Sequence, residues 1–265
     1  MSKITFGQYY PANSPIHHLD PRVKLIAVFA HITIVLIVVN FIGYGIVALY
    51  VAAAILVSRV PIKLLVRGLR AIIFILMFSV VINLFLSPGE NEIFRLGFIR
   101  LTTEGIFNSI RMGMRLVLLV VGSSLLTLTT SPIRLTDGLE SLMAPLKKIK
   151  FPVHDITIMM TIALRFIPTL ADEMEKIMKA QKARGADFDT GGLIKRAKSL
   201  LPILVPLFVS AFKRAEELAT AMEARCYRGD VGRTKMTPLK MTPKDIISLG
   251  AIIIISTGTV LTRFL

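Results

Sequence analysis

Two arginines stand in matching surroundings. The stretch "KAQKARGADFD" carries Ala183-Arg184-Gly185, and "TAMEARCYRGD" carries Ala224-Arg225-Cys226. A guanidinium is a rigid fork of donors that suits a carboxylate. One such arginine at a helix end needs no special account, because the helix dipole favours a cation there. Two copies are more informative. Laid over one another, Glu175 falls on Glu216, Ala180 on Ala221, Ala183 on Ala224 and Arg184 on Arg225. Paired forks point to two similar acceptors, such as a dimer of a soluble partner.

Other groups with chemical potential carry less. His17, His18 and Asp20 are too few for zinc, which takes three or four protein ligands, and the four histidines at 17, 18, 31 and 154 have no zinc spacing. Asp20-Pro21 reads instead as a helix cap. Arg111 and Arg115 lie one turn apart in an apolar segment. Intramembrane charge is a functional flag, but from the outer part of a span both can snorkel to headgroups, and they read as structural. Asp172, Glu173 and Glu175 read as a solvated helix face. No Gly-x-x-x-x-Gly-Lys-Ser/Thr loop is present, so the chain has no phosphate-cradling loop of that kind.

The elements behind the two arginines are long helices. One is predicted from Phe151-Pro152 to about Arg184, the other from about Leu193 to Tyr227, with "GADFDTGG" as the turn. Pro168, Pro202 and Pro206 must begin or kink them. In the first, Ile156, Met160, Ala163, Ile167, Leu170, Met174 and Ile177 step by four and three, and Arg184 continues the phase. In the second, Ala197, Leu201, Leu204, Phe208, Ala211, Ala215, Leu218 and Met222 lead to Arg225. Each stripe is apolar and ends in an arginine. Asp172, Glu173, Glu175, Lys176 and Lys179 mark the opposite face of one helix; Lys213, Arg214, Glu216, Glu217 and Glu223 mark that of the other. The apolar surface on "ITIMMTIALRFI" and "LLPILVPLFVSAF" is too large to face water, and it predicts a membrane partner seated there.

The rest of the chain is membrane-like. Of its 265 residues, 54% are hydrophobic and the mean hydropathy is +0.68. Residues 1–21 hold no apolar run, so the first apolar segment is expected to remain as an anchor rather than a signal peptide. Five spans read out, at about 22–40, 41–57, 71–86, 104–129 and 246–261. Ser87-Pro88-Gly89 closes the third. Lipid offers the backbone no partners, so each must be helical, and the class is all-α. The expected organisation is a cytoplasmic segment 1–21, a four-helix membrane region 22–130, long amphipathic helices, cytoplasmic or interfacial, over 131–245 and a last span over 246–265. Between the third and fourth spans, β-prone runs flank Gly97 and predict a small hairpin.

The net charge of +15 follows positive-inside sorting rather than nucleic-acid binding. With the N-terminus inside, Lys3, Arg22, Lys24, Arg59, Lys63, Arg67, Arg70 and the basic residues from Arg134 to Lys244 are cytoplasmic. Arg95, Arg100 and Arg263 are outside, as is the C-terminus. Cys226 is the one cysteine, which excludes an internal disulfide.

"GQYYPANSPIHHLDPRVKL", the five spans and the paired Ala-Arg motifs together resemble the transmembrane T component of energy-coupling factor (ECF) transporters. The resemblance covers essentially the whole chain. It implies a non-catalytic subunit of a bacterial or archaeal cell membrane, working with two ABC-type ATPases, A and A′. ATP and Mg would reside in those ATPases, and no cofactor in this chain. The X-Arg-X motifs of the family dock in ATPase grooves, a role that maps onto Ala183, Arg184 and Gly185 and onto Ala224, Arg225 and Cys226. The family often has glycine where Cys226 stands. A separate S component captures a vitamin or metal and would sit on an apolar platform including Met160, Ala163, Ile167, Leu201, Leu204 and Phe208. Two other classes fit the sequence less well. A membrane-embedded enzyme lacks a nucleophile, base or metal set here. A self-sufficient channel or secondary transporter lacks polar span linings and inverted halves.

Overall fold

The structure, a computed structural model, describes residues 9–86, 92–96, 99–186, 188, 192, 194, 198–229 and 238–262. The expectations attached to Lys3, to the 87–89 stop, to Gly97, to Ala197 and to Arg263 lie outside the described residues, as does much of the 185–192 turn. The chain forms two units. One is Met1–Leu142 with Thr237–Leu265, the other Met143–Met236.

In the first unit α1 (Pro15–His18) leads into α2 (Pro21–Ile37), α3 (Phe41–Ser58) and α4 (Ile62–Leu86). Strands β1 (Glu92–Leu96) and β2 (Ile99–Thr102) pair antiparallel as the predicted hairpin. Then come α5 (Thr103–Thr129) and α6 (Pro132–Met143), and after the second unit α9 (Pro243–Leu261). Local chemistry sets the starts. Asp20 caps α2 by accepting from Arg22 N at 2.9 Å, with Pro21 behind it. Thr102 caps α5 through Gly105 N at 3.0 Å. Thr242 and Asp245 make a reciprocal capping box at α9, which therefore starts three residues before the predicted span.

The first unit runs past residue 131 to Leu142, and packing supplies the reason. A Cβ on Gly138 of α6 would come within 2.8 Å of Pro21 Cβ, so α6 lies tight against the start of α2. Within the bundle α5 is the central pole, touching α2, α3 and α4. Its Leu118, Val121 and Leu128 join Ile34, Val35, Val38, Tyr44, Val47 and Val51 in one buried cluster.

Among the described residues five helices are long and apolar enough to cross a bilayer: α3, α4, α5, α9 and, in the second unit, α7 (Val153–Ala183). Four coincide with predicted spans, although α4 begins nine residues early and takes in Lys63, Arg67 and Arg70. The predicted first span, α2, has 17 residues, at the short end of what a bilayer needs.

The second unit contains a 3₁₀ turn (Ala144–Ile149), α7 and α8 (Leu201–Ala224). Pro168 lies within α7 and Pro206 within α8. The two helices run antiparallel. Glu173 of α7 accepts from Ser210 Oγ (2.5 Å) and Arg214 Nη2 (2.9 Å) of α8. His154, at the start of α7, meets Tyr227 just past the end of α8, with 3.3 Å between Nε2 and the hydroxyl.

Candidate functional site at the two helix tips

The repeated Ala-Arg motifs make the same cap twice. Arg184 is the C-cap of α7, at φ −87° and ψ 7°; Arg225 is the C-cap of α8, at φ −92° and ψ 13°. Gly185 N–H then donates to Lys182 O at 3.0 Å and Ala186 N–H to Gln181 O at 3.0 Å. At the other tip Cys226 N–H donates to Glu223 O at 2.8 Å and Tyr227 N–H to Met222 O at 3.0 Å. Both closures are the doubly bonded left-handed helix end. That geometry needs a positive φ in the residue after the cap, and Gly185 (86°) and Cys226 (56°) supply it. The motif spacing thus has a backbone cause: alanine finishes the helix, arginine caps it, and the next residue turns left.

Both arginines are exposed. Among the described residues neither guanidinium has a hydrogen-bond or ion-pair partner. Because α7 and α8 are antiparallel, their tips point in opposite directions. With Glu173 level with Arg214 and His154 level with Tyr227, the two caps stand roughly 40 Å apart along the pair at about 1.5 Å per residue.

The helix faces differ from the predicted stripes. On α8 the half-buried side runs through Leu207, Ser210, Ala211, Arg214, Leu218 and Met222. The predicted row shares Ala211, Leu218 and Met222 with it but leaves Leu201, Leu204 and Phe208 outside, Phe208 being 66% exposed. A row stepping by sevens drifts about 20° per repeat on a straight helix, so a seam that fits one end loses the other. Val205, Val209 and Phe212 extend the exposed strip. On α7, Met160 and Ala163 are exposed and Ile167 is half-buried. The acidic cluster is corrected as well. Asp172 and Glu175 are exposed, and Glu175 pairs with Lys179 one turn on. Glu173 instead faces α8, so it and Arg214 are interhelical contacts and not a solvated face.

The N-terminal motif, Tyr9 to Leu25, builds a polar latch in the first unit. Lys24 is 6% exposed, and its ammonium donates to His17 O (3.2 Å), Thr129 O (3.0 Å) and Thr130 Oγ1 (3.2 Å). Asp245 Oδ1 accepts from Asp20 N at 2.7 Å, and Oδ2 accepts from Thr242 N at 2.7 Å. Tyr10 N–H donates to Leu128 O at 2.9 Å. The start of α2, the end of α5 and the start of α9 are thereby tied at one end of the bundle. His17 Nε2–H donates to Tyr10 O at 3.0 Å, which leaves Nδ1 to accept from Ser14 Oγ at 2.7 Å. Burial pushes the His17 pKa below its ordinary value, the Tyr10 carbonyl opposes the shift, and the charge of Lys24 adds to it. Sequence reasoning counted Lys24 among boundary charges and missed Asp245. Their positions at helix starts were visible, but their burial depends on contacts across the whole chain.

Arg111 and Arg115 serve the opposite end. Arg115 donates to Tyr44 Oη (3.1 Å) and Val38 O (3.2 Å), while Arg111 reaches Val39 O (3.4 Å) and Asn108 Oδ1. They cover carbonyls left free where α2 stops.

The sequence matches known proteins along most of its length. Residues 12–237 match the family model CbiQ, described as cobalt transport protein. The chain is 51% identical over 261 residues to the energy-coupling factor transporter transmembrane protein EcfT of Ruminiclostridium cellulolyticum, covering 98% of this chain and 97% of that one. It is 48% identical over 265 residues to the EcfT protein of Thermosediminibacter oceani, with both chains covered in full. The EcfT protein of Bacillus subtilis is 46% identical over 256 residues, 97% of each chain.

Proposed function

Because this chain belongs to the EcfT family of energy-coupling factor transporter transmembrane proteins, and is thus a multi-pass membrane subunit of such a transporter, we propose how it does the coupling. Arg184 and Arg225 each dock into one of two cytoplasmic ABC-type ATPases, and the exposed strip of α8 with Met160 and Ala163 of α7 seats an S component that captures a vitamin or metal. ATP binding draws the ATPases together, and α7 and α8 carry that motion to the S component as rigid levers.

The observation that carries this reading is the pair of equivalent caps. Two separate helix ends present an arginine without a partner among the described residues, from the same backbone conformation and in opposite directions, as two copies of one socket would require. The apolar strip through Leu201, Leu204 and Phe208 supports a membrane-embedded neighbour, since such a surface is costly in water. The latch supports the topology. It holds the end of α5 and the start of α9 together, so the intervening chain leaves and returns on one side. With the basic residues of 134–244 assigned to the cytoplasm, the N-terminus is inside and the C-terminus outside.

The test is charge reversal in the intact complex. Arg184→Glu and Arg225→Glu are expected to weaken ATPase co-purification and abolish uptake, because breaking a buried charged contact costs about 2–5 kcal/mol. Unchanged ATPase stoichiometry and unchanged uptake in both variants would refute the docking role.

A further inference from the structure

We propose that Arg111 and Arg115, with Asn83 and Asn108, form a phosphate site that holds the headgroup of an anionic phospholipid at the α2–α3 end of the bundle. A cavity of about 200 Å³ lies there, lined by Val39, Asn83, Asn108, Arg111, Met112 and Arg115. It is smaller than the roughly 300–1,000 Å³ of pockets that enclose whole ligands, and suits a headgroup whose tails remain in the bilayer.

Charge is the first argument. Both guanidiniums are half-buried, and among the described residues no carboxylate lies within ion-pair distance of either. The carbonyls of Val38 and Val39 and the groups of Tyr44 and Asn108 occupy part of each donor fork. Each guanidinium has five N–H groups, so donors remain for an anion. Two like charges one turn apart repel, and an anion held by both relieves that repulsion. Arginine forks match phosphate oxygens with two parallel bonds; the Asn108 amide and the second N–H of Asn83, whose Nδ2 also donates to Ser79 O at 3.0 Å, add neutral donors.

Depth is the second argument, and it selects a lipid as the source of the phosphate. Helix α2 ends at Ile37, α3 begins at Phe41, and Asn40 Nδ2 donates to Thr262 O at 2.6 Å, just past the end of α9. Three spans therefore turn or stop at the level where the arginines bond to Val38 and Val39. Spans that turn or stop together mark the passage from hydrocarbon to headgroups, and α5 continues past that level for two to three more turns to Thr103. Arginine forks at that depth match the phosphate of an acidic headgroup with two parallel bonds each.

The experiment is native mass spectrometry of the full-length chain released from mild detergent. It is run with phosphatidylglycerol, with phosphatidylcholine or with inorganic phosphate. The chain is expected to retain phosphatidylglycerol over phosphatidylcholine. Arg111→Gln is expected to lower that retention about tenfold, the effect of one charged hydrogen-bonding group. Asn83→Leu fills the cavity without touching either guanidinium, suits a lipid-level helix and is expected to lower retention similarly. Equal retention of the two lipids, or retention unmoved by both substitutions, overturns the site. Inorganic phosphate that occupies it as well as the lipid does overturns the lipid assignment.

Discussion

Cys226 holds φ at 56°, where glycine is the usual occupant and where Gly185 sits in the other motif. A side chain in that region brings Cβ against the following carbonyl, at a cost of roughly 1–2 kcal/mol. The fold accepts this because the two bonds from Cys226 and Tyr227 close α8 only from a left-handed turn. Cys226→Gly removes the strain but frees the unfolded chain. The net expectation is a gain of about 0.5–1 kcal/mol, seen as a higher unfolding temperature of the purified chain, with ATPase co-purification unchanged. A lower unfolding temperature would mean that the thiol makes a contact that outweighs its backbone cost. The same logic forbids the reverse exchange. Gly185→Val puts a β-branched residue at φ 86°, and it is expected to fray the tip that presents Arg184.

At the scale of elements, one close approach in the bundle depends on a missing side chain. His31 of α2 lies over Gly122 of α5, where a Cβ would stand 2.1 Å from Nε2, and that nitrogen donates to Leu118 O at 3.0 Å. Gly122→Ala must push the ring away and take its N–H off the Leu118 carbonyl, and overpacking alone costs about 1–3 kcal/mol. Pairing it with His31→Ala should recover much of the loss, a coupling that a double-mutant cycle on thermal unfolding would measure. Additive losses would show that the two positions do not share a site. This contact also marks what the sequence can and cannot tell. The α2, α3, α5 and α9 spans, their Asp20 cap and the hairpin were legible, because hydropathy, cap residues and alternation act locally. The arginine tips were legible because one local motif occurred twice. The seam of α7 on α8 was not, since Glu173 and Arg214 read as surface residues until the antiparallel register brings them together. Nor was His31, a lone histidine in an apolar run, whose partner is a backbone carbonyl on a helix far along the chain.

For the whole molecule, the N-terminal latch decides whether three span ends stay together. It is built on neutral His17, which lies between Tyr10 O and Ser14 Oγ and next to the Lys24 ammonium, with His18 adjacent in sequence. The ordinary pKa of 6.5 applies when the segment is undocked, and burial lowers it in the docked state. Above 6.5 the ring is neutral in both states and docking is at full strength. As pH falls through 6.5 the undocked segment takes up a proton first, so docking loses stability until the lower, docked pKa is passed. Hydrogen exchange of residues 9–20, corrected for intrinsic rates, should show stronger protection at about pH 7.5 than at about pH 5.5, the range in which a histidine changes charge. His17→Gln keeps a polar side chain but cannot titrate, and it should flatten that difference. The effect should reach beyond the segment. Lys24 bonds to His17 O as well as to Thr129 and Thr130, and Asp245 bonds to Asp20 N. Loosening at low pH should therefore appear also at the end of α5 and the start of α9, while the Arg111–Val39 end keeps its protection. Loss of protection spread evenly over both ends would instead mean global unfolding, and the latch would not be a separable unit.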